Sequence, residues 1–321
     1  MQLTICLLVA TIGAVAQSTP ESTKFRAIVT AAPRLPLLSH ELVLDSLELG
    51  MVSSVAVDAD GLIYILQRGE KADPIIVTNA AGEVLRSWGR GMYEIPHKIR
   101  IDADGHVWTV DANSSMVYKF DRWGTKLHEI QIELPDHPRG GFQGTTDIAF
   151  APNGDFYIAD GYQNARILRF NRDGERLDEW GSAGTGPGEF DLPHGIALDP
   201  GGTVYVADRE NLRIQRFDFE GRYLGEWNLN GKVFSLKWTN SGELWTGTQP
   251  HDVPNGTEGT LMRLDPASGK VLGLVEAFGH SAFGHSIEVT PRGELLTGAT
   301  RSDPGAPLST FRGFVLIFRP D

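Results

Sequence analysis

The chain has 321 residues, 41% of them hydrophobic and 22% charged, with a formal net charge of −12. Such a composition can bury a sizeable core and excludes an intrinsically disordered chain. Acidic charge spread without a basic block, and no phosphate-binding glycine loop, count against nucleic acid or an anionic membrane as the main partner.

Taken in chain order, the first segment is Leu3 to Ala16, apolar or small throughout and closed by Ala14-Val15-Ala16. This reads as an export signal over 1–16, cleaved before Gln17, and predicts a secreted or periplasmic protein. The one cysteine, Cys6, lies inside it, so the mature chain would carry no thiol and no disulfide. Residues 17–39, rich in Ser, Thr and Pro, read as a linker or loose lead-in. The remainder, 40–321, reads as one domain.

That domain repeats itself. First strands and their turns read VAVDADG (55–61), IRIDADG (99–105), IAFAPNG (148–154), IALDPGG (196–202), LKWTNSG (236–242) and IEVTPRG (287–293). Each turn glycine follows its strand's first apolar residue by six positions, and the starts lie 44, 49, 48, 40 and 51 residues apart. That period suits four-stranded blades of a β-propeller, six in number. The last unit offers only three strands, ending in FVLIF (314–318), so ELVLDSL (41–47) is expected to supply the fourth and close the ring.

Two positions before each first apolar residue stand Ser53, His97, Thr146, His194, Phe234 and His285. First strands line the channel of a propeller, so histidines on alternate blades would converge with trigonal symmetry. Three His ligands and one open position make a catalytic zinc site. Isolated, hydrogen-bonded core histidines are the simpler alternative. His40, His106, His128, His137, His251 and His280 share no such register and read as surface or loop residues.

Thirteen positions after the reference residue come Arg68, Ala112, Gly161, Arg209, Gln249 and Thr300, at the ends of the second strands. Strand direction puts Arg68, Arg209 and the adjacent Tyr162 on the face where the histidines enter. Two guanidiniums and a phenol suit an anionic or carbonyl-rich substrate. The arginines could instead pair with Glu70 and Glu210. Asp111, Asp160 and Asp208 read as loop-bracing acceptors that could also support the histidines.

The spacing resembles NHL-type propeller repeats over roughly 41–320. IPHKIRIDADGHVWTVD (95–111), YIADGYQNARILRF (157–170), LPHGIALD (192–199) and VADRENLRIQRF (206–217) further resemble the peptidyl-α-hydroxyglycine α-amidating lyase family. The resemblance implies a six-bladed propeller with zinc held by His97, His194 and His285. It implies Tyr162 as the catalytic tyrosine and Arg68 and Arg209 as active-site arginines. The implied reaction splits a peptidyl-α-hydroxyglycine, or a similar α-hydroxy amide, into an amide and glyoxylate. The substrate carries a carboxylate, and a separate hydroxylating protein is expected to make it. The family also implies a structural Ca²⁺ held by backbone carbonyls, here those of Val55 and Ile99, and by an acid after the third histidine. This chain has Ser286 at that place. The competing readings are a calcium-dependent lactonase-type hydrolase, which needs acidic and Asn ligands, and a non-enzymatic NHL interaction module with an inert channel.

Overall fold

Each repeat folds as an antiparallel meander of four strands, and six such sheets make the blades of a β-propeller. The computed structural model describes residues 18–44, 47–134, 141–253, 258–276, 284–301 and 312–320. The proposed leader, 1–16, lies outside them. Blade I runs through Val52–Val57, Ile63–Gln67, Ile75–Thr78 and Val84–Trp88. The inner strands of blades II to VI are Pro96–Ile101, Asp147–Phe150, Pro193–Leu198, Lys232–Trp238 and Glu288–Val289.

The sequence dictates the tight first turn of each blade. In blade I, Asp58 Oδ1 accepts from the amides of Asp60 and Leu62, and Gly61 adopts φ +83°. Only glycine takes that conformation without strain. The same arrangement recurs at Asp102 and Gly105.

Alternation along the strands sends apolar side chains toward the adjacent blades. The hydrophobic core is therefore divided into six clusters, one between each pair of neighbouring blades. Ile65 and Ile76 sit between blades VI and I, and Ile158 and Leu168 between II and III, all sealed from solvent. Each such side chain contributes about 1.5–3 kcal/mol.

The ring closes as expected but in a different register. Leu37–Leu42 pairs antiparallel with Arg312–Pro320, from Leu37 opposite Pro320 to Leu42 opposite Val315. The expected strand, 41–47, overlaps it by two residues. Leu44 and Leu47 instead cover the core between blades VI and I from a loop, so their apolar character reflects burial without pairing.

The lead-in is a second correction. Residues Pro20–Ala31 form a helix with Thr19 as its cap, the Thr19 hydroxyl accepting from the Ser22 amide at 3.2 Å, and Pro20 in the first turn. Phe25 enters the core between blades IV and V beside Trp227 and Leu229. Arg26 forks onto Asp252 with two bonds of 3.0 Å. Among the described residues no helix is long and apolar enough to cross a membrane.

Candidate metal centre

His97, His194 and His285 meet on the axis near one mouth of the central channel. Their ring centroids lie 4.9, 4.8 and 5.0 Å apart, close to an equilateral triangle. One ligating nitrogen from each falls within 4.8 Å of the other two. A local irregularity of the inner strands aims these residues. The pairing register slips at the reference position in four blades, between Val52 and Ser54, Pro96 and Lys98, Pro193 and Gly195, and Val233 and Ser235. These are β-bulges, which break strict alternation and re-aim a side chain. In blade II, consecutive residues His97 and Lys98 are consequently both buried on the axis.

The even-blade histidines are fixed by the odd-blade members of the same ring. Nδ1–H of His97 donates to the Thr146 carbonyl at 2.6 Å, that of His194 to Phe234 at 2.7 Å, and that of His285 to Ser53 at 2.8 Å. With Nδ1 carrying the proton, Nε2 keeps its lone pair and faces the axis. Burial, reinforced by nearby positive groups, holds all three imidazoles well below the usual histidine range and so neutral. Neutral, oriented imidazoles with converging lone pairs fit one tetrahedral ion with an open fourth position.

Tyr162 sits over this triangle, its hydroxyl 3.0 Å from Nε2 of His97 and 3.3 Å from Nε2 of His194. Gly161 makes the approach possible, since a Cβ there would collide with the carbonyl of Pro193, the residue before His194. Burial raises the Tyr162 pKa, and the guanidiniums of Arg209 and Arg68 pull against that rise. Arg68 donates from Nε to the Pro96 carbonyl at 3.0 Å and lies over Phe142, while its buried Nη2 has no hydrogen-bond partner among the described residues. An orphaned buried donor costs about 1–3 kcal/mol, which an incoming anion would relieve. Arg209 lies over Phe234 and bonds Glu210 at 2.8 Å, so the anticipated acid pairing holds for this arginine.

One level deeper the channel is filled with charge. The Lys98 ammonium, 0% exposed, donates to the His285 carbonyl at 3.0 Å and lies 3.9 Å from Asp147 Oδ2. Burial pulls its pKa down to about 8, with Asp147 opposing. Arg100 grips Asp147 with bonds of 3.0 and 2.7 Å and donates to the Leu236 carbonyl at 3.0 Å. Asp147 also accepts from the Ile196 amide at 3.3 Å. Calcium does not fit this lining. The axial carboxylate is already committed to Arg100, an ammonium stands beside it, and Ser286 offers no charge.

The structure thus brings together Tyr162 and the three histidines, with Arg68 and Arg209 at their margin. It does not bring Asp111, Asp160 or Asp208 to the histidines. Asp111 accepts from the amides of Glu94, Ile95, Asn113 and Ser114, Asp160 from Asn164 and Arg166, and Asp208 from Asn211 and Arg213. They brace loops, as expected. Of the remaining histidines, His137 and His280 lie outside the described residues. His40 and His128 lie on exposed strands, and His106 bonds Asp102 in a turn. Sequence reasoning missed Phe142, which packs edge-on against Tyr162 from a loop that carries no repeat signature. It also missed Lys98, Arg100 and Asp147, although charges inside an otherwise apolar inner strand were the available signal.

A family model described as NHL repeat matches residues 190–217. The chain is 32% identical over 199 residues to a probable peptidyl-alpha-hydroxyglycine alpha-amidating lyase of Caenorhabditis elegans, covering 53% of this chain and 56% of that protein. It is 32% identical over 198 residues to a peptidylglycine alpha-amidating monooxygenase of Rattus norvegicus, covering 52% of this chain and 20% of that one. The match thus spans about half of the worm protein and a fifth of the rat protein. Among solved structures, a streptogramin B lyase superposes with a TM-score of 0.59 at 16% identity, covering 89% of this chain and 98% of that one. That likeness concerns the propeller fold.

Proposed function

We propose that this chain, a relative of the peptidyl-alpha-hydroxyglycine alpha-amidating lyases, is a zinc-dependent carbon–nitrogen lyase acting on a peptidyl-α-hydroxyglycine or a similar α-hydroxy amide. The supporting observation is the trio of neutral imidazoles, Nδ1 locked on carbonyls and Nε2 converging beside Tyr162. Zinc held by His97, His194 and His285 would supply Lewis acidity toward a substrate oxygen, and an all-imidazole set suits it better than a hard cation.

The chain's own residues do the rest. The orphaned Nη2 of Arg68, with Arg209 across the site, binds the substrate carboxylate and orients the carbinol. Tyr162 takes the carbinol proton. Burial keeps it a phenol, and the guanidiniums of Arg209 and Arg68, joined by any dication the three histidines would hold, would favour the phenolate. The carbinol C–O bond becomes a carbonyl as the C–N bond breaks, and the same proton returns to the departing amide nitrogen. The products are an amide and glyoxylate, with no net change in protons or electrons. Phe142 and Phe234 pack against Tyr162 and His194 and screen the site from water.

The apolar segment 3–16, read as an export signal, favours a secreted or periplasmic setting for this reaction. The deciding assay is glyoxylate release from a peptide ending in α-hydroxyglycine. Zinc-loaded protein should release it and chelator-stripped protein should not. Zinc-loaded protein that releases none would exclude this substrate.

A further inference from the structure

The lower channel carries an inference independent of the lyase chemistry. The charge network there crosses the axis. From blade II, Lys98 reaches the His285 carbonyl of blade VI and stands near Asp147 of blade III. Also from blade II, Arg100 reaches Asp147 and the Leu236 carbonyl of blade V. Asp147 itself reaches the Ile196 amide of blade IV. Five of the six blades are thus joined through three side chains, all buried. The site fails as a calcium site because a cation is already built into it.

We propose that the Lys98 ammonium is an internal axial cation that takes over the blade-tying role of a structural metal, making this propeller independent of divalent cations below the histidine ring. An ammonium is a compact point charge with three donors, and here it serves a carbonyl of one blade and faces a carboxylate of another. Lys98, Arg100 and Lys237 against Asp147 and the buried Glu288, which pairs with Lys237 and also acts on Arg100, leave about one net positive charge around the axis. A divalent ion brought beside them would meet repulsion and find Asp147 already bound to Arg100. Lys98 also holds the backbone of His285, so it is a positioning residue for one histidine of the ring.

The test uses zinc-loaded full-length protein in buffer freed of calcium, then with millimolar calcium added. Calorimetric titration should detect no calcium binding to the wild type, and its melting temperature should not change. Lys98→Met should melt lower by about 5 °C or more, because the carbonyl and carboxylate lose their partner. Lys98→Gly combined with Ser286→Asp should recover stability only when calcium is present, a response that lost packing alone would not produce. Wild type that binds one calcium per chain, or melts higher with it, overturns the proposal. So does a Lys98→Met protein that melts with the wild type, or a folded double variant indifferent to calcium. Should Lys98→Met not fold, the wild-type titration decides alone.

Discussion

His97 and Lys98 are neighbours in sequence, both sealed from solvent, yet their polar ends are treated in opposite ways. The imidazole is tied down on one nitrogen by a carbonyl from the next blade, while the other nitrogen faces two more like it and a phenol. The ammonium one residue on is spent on a carbonyl and a carboxylate. The same contrast separates Arg68, whose buried Nη2 has no hydrogen-bond partner among the described residues, from Arg100, whose Nε and Nη2 are held by Asp147 and the Leu236 carbonyl. Around the histidine ring, the unmet capacity of Arg68 stands beside converging imidazole lone pairs, and that combination marks the level where a ligand belongs. Capacity met within the fold marks the level that holds the blades together.

Substitutions at the two levels should therefore fail differently. The largest effect is expected from Tyr162→Phe, which should cut turnover by about 10²–10⁴-fold with zinc still bound. Full activity in steady-state kinetics would remove the phenol from the chemistry. At the lower level, Arg100→Met strands a buried carboxylate and should cost about 3–5 kcal/mol in denaturant unfolding. Zinc occupancy of the folded fraction should stay near one per chain. An Arg100 variant as stable as wild type would erase the distinction between levels. Arg68→Met should lose about 1.5–3 kcal/mol of transition-state binding, roughly 10–100-fold in kcat/KM, with no loss of stability. A drop in melting temperature instead would make Arg68 part of the scaffold.

The smallest effect lies at the rim, where Arg26 meets Asp252. The Asp252 carboxyl is held below the usual range, first by its hydrogen bond to Arg26. A depressed acid contributes stability that is present above its unfolded pKa, about 3.9, and is lost as pH falls through the folded value. Because Arg26 is partly exposed, the pair should be worth only about 0.2–1 kcal/mol. Wild type and Arg26→Ala should thus differ slightly in urea melts at neutral pH and converge in strong acid.

The repeat made the propeller legible from sequence, because strand starts, turn glycines and alternation recur at a blade-sized period. It made the histidine ring legible as well, since equivalent positions are equivalent in space. What escaped had no period. The helix Pro20–Ala31 was announced by Thr19 and Pro20, a usual cap and first-turn pair, but the Ser, Thr and Pro content suggested a loose segment. The closing strand was misregistered because Leu44 and Leu47 are apolar for packing and not for pairing. The carbonyl partners of the imidazoles come from backbone, which sequence cannot display. Lys98 joins the axis through a bulge that ordinary alternation would not foresee.

Metal content tests the central claim most directly. Purified wild-type protein, dialysed and analysed for all first-row metals and calcium, should contain close to one zinc per chain. His194→Ala should lose it while keeping its β-sheet circular dichroism. Wild type that carries no transition metal and binds none when zinc is added would contradict the account, and so would a His194→Ala protein that still holds one zinc per chain.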